Sequence, residues 1–222
     1  MENGYAPHTE RLQKVDAVVR DFFERQLPND RTSAPDAPRS DGQLYYHGIA
    51  HTLDLYKGVV AVTSILAQAE SVTEDERELL VAAAYFHDTG FSIKYLKNEP
   101  CGVMVARDHL PSLGFNPDEI EAIQKLILVT DITTMPDGLL EKIIRDADVD
   151  NLGRDDFQEM SDKLRNELNL EESREWYENQ VAFLENHTYF TDTAQKRRGR
   201  GKARNLELAR QKLREEAIIR RW

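Results

Sequence analysis

Residues 78–86, ELLVAAAYF, are apolar on nearly every side of a helix. A surface helix carries one apolar stripe, whereas a helix that is apolar all round must be enclosed by other elements. This run therefore predicts a buried central helix and limits the chain to folds that can wrap one. Thr73 and Glu76 stand ahead of it at the spacing of a capping box, a start signal for the helix. No convincing period-two alternation, dinucleotide-type glycine loop or internal repeat is present. The fold class read from the sequence is all-α, a single-domain helical bundle, and 222 residues with 40% hydrophobic content are enough to close its core.

The other helices follow from spacing and start signals. Leu12, Val15, Val19 and Phe22 recur at helical intervals behind a potential cap at Thr9. A polar stretch with Pro28, Pro35 and Pro38 comes next and reads as a mobile loop, so residues 1–43 form an N-terminal helix and a Pro-rich loop. A long helix is expected over 46–69. Asn116, Pro117 and Glu119 open another, which stops near Asp131. A short helix carries Asp148, and further helices are expected over 155–168, 173–187 and 203–219. The core then spans 44–190, and 191–222 form a basic loop and a C-terminal helix packed on the same domain. An exposed apolar face on the first helix could support a homodimer.

A formal net charge of -11 disfavours a nucleic-acid binder. The basic segment 196–204 has no interleaved aromatic for stacking on single strands, so it reads as a solvated loop. Cys101 is the only cysteine, which excludes an internal disulfide and suits a reducing cytoplasm. No stretch approaches the ~18 consecutive apolar residues of a membrane span, and the opening residues lack an apolar leader core. The expectation is a soluble cytoplasmic protein without a membrane partner.

His87-Asp88, at the polar end of the central helix, offers a metal one nitrogen and one oxygen from adjacent positions. His47 and His51 lie upstream in YYHGIAHT and Asp148 downstream in RDADVDNLG. On a helix, His47 and His51 share one face. Asp146, Asp148 and Asp150 alternate, so only one of them is expected to face the core with Ile144 and Leu152, and Asp148 is that one. Two imidazoles and two carboxylates leave two positions of a six-coordinate metal for a water and a phosphoryl oxygen.

The ordered series His51, His87-Asp88, Asp148 resembles the signature of the HD-domain superfamily of metal-dependent phosphohydrolases, over roughly residues 45–153. The resemblance implies that His51, His87, Asp88 and Asp148 hold a divalent metal in a helical fold. The wording around His47, with Thr130-Asp131-Ile132, is similar to the helical cyclic-nucleotide phosphodiesterases, in which the first histidine of the pair protonates the leaving oxygen. That similarity implies a catalytic proton donor in His47, with Asp88 both binding metal and orienting the water. Two-metal members of the superfamily, some of them di-iron oxygenases, use extra histidines between the HD pair and the last Asp. Only His109 falls in that interval here, so one divalent ion is expected, from among Mn, Fe, Co, Ni, Zn and Mg.

Three further residues are candidates for substrate contact. Lys94 could reach a phosphate, Glu99 could serve as acid or base, and Asp131 could orient His47. The reading as a whole is a hydrolase acting on a phosphomonoester or phosphodiester of a small, nucleotide-like substrate. The alternative is a catalytically silent module that uses the same fold to bind a nucleotide signal or a partner protein.

Overall fold

The computed structural model describes residues 7–219, with side chains through residue 216. Ten helices and three short 3-10 turns make up the described chain, and no strand occurs among the described residues. The central helix is α4, Glu74–Phe86, opened by the Thr73–Glu76 capping box. Residues 80–86 of it are at most 1% exposed. It is wrapped by α1 (Glu10–Gln26), α2 (Ile49–Leu53), α3 (Val59–Ala69), α5 (Glu99–His109), α6 (Pro117–Leu128) and α7 (Leu139–Asp148). The enclosure that the apolar run demanded is met by short helices on all sides.

Thr9 caps α1, whose buried stripe is Leu12, Val15, Val19 and Phe23. Phe23 takes the place expected of Phe22, which packs at the edge of the core. The apolar face of α1 lies against α4, so it is not the exposed face on which a homodimer was expected. Arg11 fastens this contact: it pairs with Glu78 of α4 and Glu119 of α6 and lies 4.4 Å over the Phe115 ring.

Three expectations are corrected. The Pro-rich stretch is not a mobile loop but is pinned to the segment that follows α4. Thr32 Oγ1 donates to the Phe91 carbonyl, and the Asp36 carboxylate accepts from the amides of Tyr95 (2.8 Å) and Leu96 (3.0 Å). Its short polar side chains serve as backbone partners, a use that composition does not distinguish from solvation. The helix expected over 46–69 is broken into α2 and α3. Asp54 accepts from the amides of Tyr56 and Lys57 in a tight turn, and Gly58 starts the next helix. The basic loop is helix: α10 runs unbroken over Asp192–Ile219.

The last helices form a separate layer. The ends of α8 (Phe157–Glu167) and α9 (Arg174–Asn186) fall close to expectation. Helix α9 packs on α10, and both α8 and α10 pack on the 3-10 turn Asp150–Gly153 that follows α7. Basic residues of α10 are consumed there. Arg198 makes two 2.7 Å bonds to the buried Asp150, Arg204 pairs with Asp155, and Lys202 donates to the His187 carbonyl. Gly201 meets Gly153 backbone to backbone: a Cβ on Gly201 would lie 1.9 Å from the Gly153 oxygen. No helix among the described residues is long and apolar enough to cross a membrane.

Candidate metal centre and adjoining cavity

Three elements that share no sequence neighbourhood bring the ligand candidates together. His51 comes from α2, His87 and Asp88 from the end of α4, and Asp148 from the end of α7. One ligand atom each of His51, His87 and Asp148 lies within 4.8 Å of the others, close enough to hold one metal ion. Asp148 Oδ1 is 3.1 Å from His51 Nε2 and 3.6 Å from His87 Nε2. Asp88 Oδ2 joins the group at 3.2 Å from His87 Nε2 and 3.5 Å from His51 Nε2.

The donor set fits a cation. His87 Nδ1 lies 2.8 Å from the Ala84 carbonyl. A carbonyl only accepts, so Nδ1 carries a proton and Nε2 is the ring atom turned toward the two carboxylates. His87 Nε2 and Asp88 Oδ2 are both buried and without a hydrogen-bond partner. At 3.2 Å these two atoms repel unless a proton or a metal ion sits between them. The electrostatics agree: burial opposes a charge on His87, yet Asp88 and Asp148 hold its pKa well above the ordinary value. Burial likewise opposes charge on Asp148 and Asp88, but the neighbouring imidazoles keep both carboxyls low. The cluster attracts positive charge, and a divalent ion is a better match to two carboxylates than a single proton.

His47 precedes α2 rather than lying on it, so the shared helix face is not what brings it near His51. Its ring centroid is nonetheless 5.8 Å from that of His51. The holder is Glu167 of α8, 1% exposed, a residue the sequence reading missed. Glu167 Oε1 is 2.5 Å from His47 Nδ1 and accepts from the Tyr95 hydroxyl at 2.8 Å. Glu167 Oε2 accepts the amides of Tyr46 and His47 at 2.7 and 3.0 Å. Phe91 stacks on the opposite side, with centroids 4.5 Å apart. Burial works against charge on His47, but the Glu167 carboxylate raises its pKa on balance. The imidazole is therefore oriented through Nδ1 and biased toward holding a proton. One signal was available: Glu167 follows Met160 and Leu164 at helical spacing on the inward stripe of α8.

The expectation that only one of the three alternating acids faces inward is corrected, because all three are engaged. Asp146 is 1% exposed and accepts from the amides of Phe190 and Thr191 and from the Thr191 hydroxyl. Asp150 takes Arg198. Helix α7 ends at Asp148 and is packed from several sides, so the helical step no longer sends alternate acids to water. Asp148 is the one that reaches His51 and His87.

A cavity of about 580 Å³ opens beside the cluster, lined by His47, Asp88 and Asp148 at one end and by α8 and α9 at the other. Glu99 and Asp131 line it. Burial, and then the charges of Asp131, Asp88 and Asp148, push the Glu99 carboxyl up. Asp131 does not orient His47. Its carboxylate accepts from the Thr133 amide and hydroxyl, both at 2.8 Å, as a side-chain-closed turn at a helix end allows. Lys94 is exposed and lies outside the lining, where Lys97 is the only lysine or arginine among the described residues. His109 stacks on Phe86, and His187 packs between Phe183 and Tyr189. No protein-family model, curated protein or solved structure matches the chain.

Proposed function

We propose that the protein is a metal-dependent phosphohydrolase that cleaves a phosphomonoester or phosphodiester bond of a small substrate with water. The observation that carries this reading is the meeting of two imidazoles and two carboxylates at one end of a cavity that His47 also lines. The similarity of the ordered motif to the HD-domain superfamily supports it. His51, His87, Asp148 and Asp88 would hold one divalent cation, and the donor set admits Mn, Fe, Co, Ni, Zn or Mg. Such an ion, when bound, supplies Lewis acidity to a phosphoryl oxygen and lowers the pKa of a water.

The chain's own groups do the rest. The attacking water oxygen forms a bond to phosphorus and releases a proton to solvent, the ester P–O bond breaks, and the leaving oxygen takes a proton that solvent afterwards restores to its donor. His47 donates it from Nε2, since Nδ1 is committed to Glu167. Asp88, which lines the cavity, orients the water. Glu167 and Phe91 hold the His47 ring in place, so no reorientation is needed during the reaction.

The test is metal content by elemental analysis of wild type beside Asp88→Ala and His87→Ala, followed by a phosphoester panel. Near one equivalent of metal in wild type, reduced in both variants together with activity, is the expected result. Manganese-, cobalt- and nickel-loaded protein that turns over no phosphoester would sink the proposal. Binding of a nucleotide without turnover and insensitive to chelator would instead favour a silent binding module.

A further inference from the structure

The cavity wall says what kind of molecule the site takes, an inference that rests on the phosphohydrolase reading. Away from the ligand cluster, α8 and α9 line the cavity mainly with Phe157, Met160, Leu164, Trp176, Phe183 and Leu184, interrupted by Ser161, Asn179 and Gln180. Two further apolar lining residues, Leu96 and Ile132, are 62% and 56% exposed and stand beside the polar Lys97 and Asp131. Large exposed apolar side chains clustered at a cavity mouth mark a surface made for an apolar ligand.

Charge points the same way. Among the described residues the lining carries four carboxylates, Asp88, Glu99, Asp131 and Asp148, against Lys97 and the Glu167-paired His47. A divalent ion at the cluster offsets two of those negative charges. Little positive potential is left for a di- or triphosphate, whose sites gather several Arg, Lys or backbone N–H donors. A single phosphoryl group held at the cluster needs no more positive charge than this.

We propose that the substrate is a phosphoester with one phosphoryl group on an apolar, ring-sized body, and that this body lies against Trp176 and Phe157 while the phosphoryl group faces the His51–His87–Asp88–Asp148 cluster. This narrows the nucleotide-like expectation from sequence: a polyphosphate lacks countercharge at the wall, and large apolar side chains there favour an apolar body over a small polar alcohol.

Two measurements test it together. The first compares kcat/KM of manganese-loaded protein for 1-naphthyl phosphate, glycerol 3-phosphate and ATP. The second is calorimetric binding of 1-naphthol, which has no phosphoryl group and cannot turn over, to wild type and Trp176→Ala. The expected results are kcat/KM for 1-naphthyl phosphate at least about tenfold above both others, the scale of discrimination an apolar pocket provides. Naphthol binding should weaken by about tenfold in Trp176→Ala, with metal content unchanged. Preference for ATP or glycerol 3-phosphate, or naphthol binding indifferent to Trp176, overturns the proposal and leaves the hydrolase reading standing. Trp176-dependent naphthol binding with no ester hydrolysed overturns the hydrolase reading, and the phosphoester half of the proposal with it, but not the apolar occupant.

Discussion

At the scale of single residues, Glu167 is the side chain whose removal should be most informative. Replacing it by Gln keeps a carbonyl oxygen near His47 but removes the charge that raises the imidazole. A proton donor must be protonated to act, so kcat falls as pH rises through the His47 pKa. In Glu167→Gln that alkaline limb should move to lower pH, with metal content unchanged. A limb that stays in place would show that His47 is not the group being titrated. His47→Ala should keep the metal and lose roughly 10²–10⁴-fold in kcat on esters with a poor leaving group. The four ligand candidates were legible because their types and order are distinctive. Glu167 was not, because a glutamate among the charged residues of α8 looks like any solvated acid until Met160 and Leu164 show which way it points. Lys94 failed for a related reason: sequence proximity to the HD pair did not turn it toward the cavity.

At the scale of elements, the crossing of α10 over the 3-10 turn Asp150–Gly153 separates two glycines that look alike in sequence. Gly to Ala in a helix interior gains about 1 kcal/mol in propensity. At Gly201 the new Cβ would press on the Gly153 backbone oxygen, which cannot yield, so overpacking of roughly 1–3 kcal/mol or more should win and lower the Tm. At Gly199 the nearest atoms belong to the flexible end of Gln195, so Gly199→Ala should be neutral or stabilising. Thermal unfolding of the two variants side by side checks both signs. These glycines, together with six basic residues in nine positions, read as a loop because spacing alone does not reveal a helix-packing contact. Capped helices fared better: Thr9, Thr73, Asn116 and Ser173 all open helices, since a cap is a local interaction written in adjacent residues. The break at Asp54 was missed because apolar periodicity resumes in register soon after it.

Across the whole molecule, acid sensitivity should depend on the bond between α1 and α4. Burial raises the Glu78 carboxyl, and Arg11 and Thr9 bring it below its ordinary value. Stability from this pair is present above the unfolded value near 4.5 and is lost as pH falls through the lower folded value. Arg11→Met strands a buried carboxylate. Its cost should be roughly 2–3 kcal/mol, below that of a fully buried pair because the Arg11 side chain is 29% exposed. The Tm deficit at pH 7 should be about 4–12 °C and should shrink toward acid pH, where protonation removes the stranded charge. An equal deficit at both pH values would rule out the charge as its cause. The bundle itself was readable from one enclosed helix, but the arrangement of its layers was not. The ligand candidates all come from α2, α4 and α7, whereas the apolar wall comes from α8, which is bonded to the site through Glu167, and from α9, which packs on α10. Under the proposed function, α8 carries both Glu167, which holds the proton donor, and wall residues, whereas α9 carries wall residues alone. Substitutions on α9, at Trp176 or Phe183, would then retune which molecule is accepted while the reacting groups stay in place, so descendants of this chain, natural or designed, could diverge in diet before they diverge in reaction.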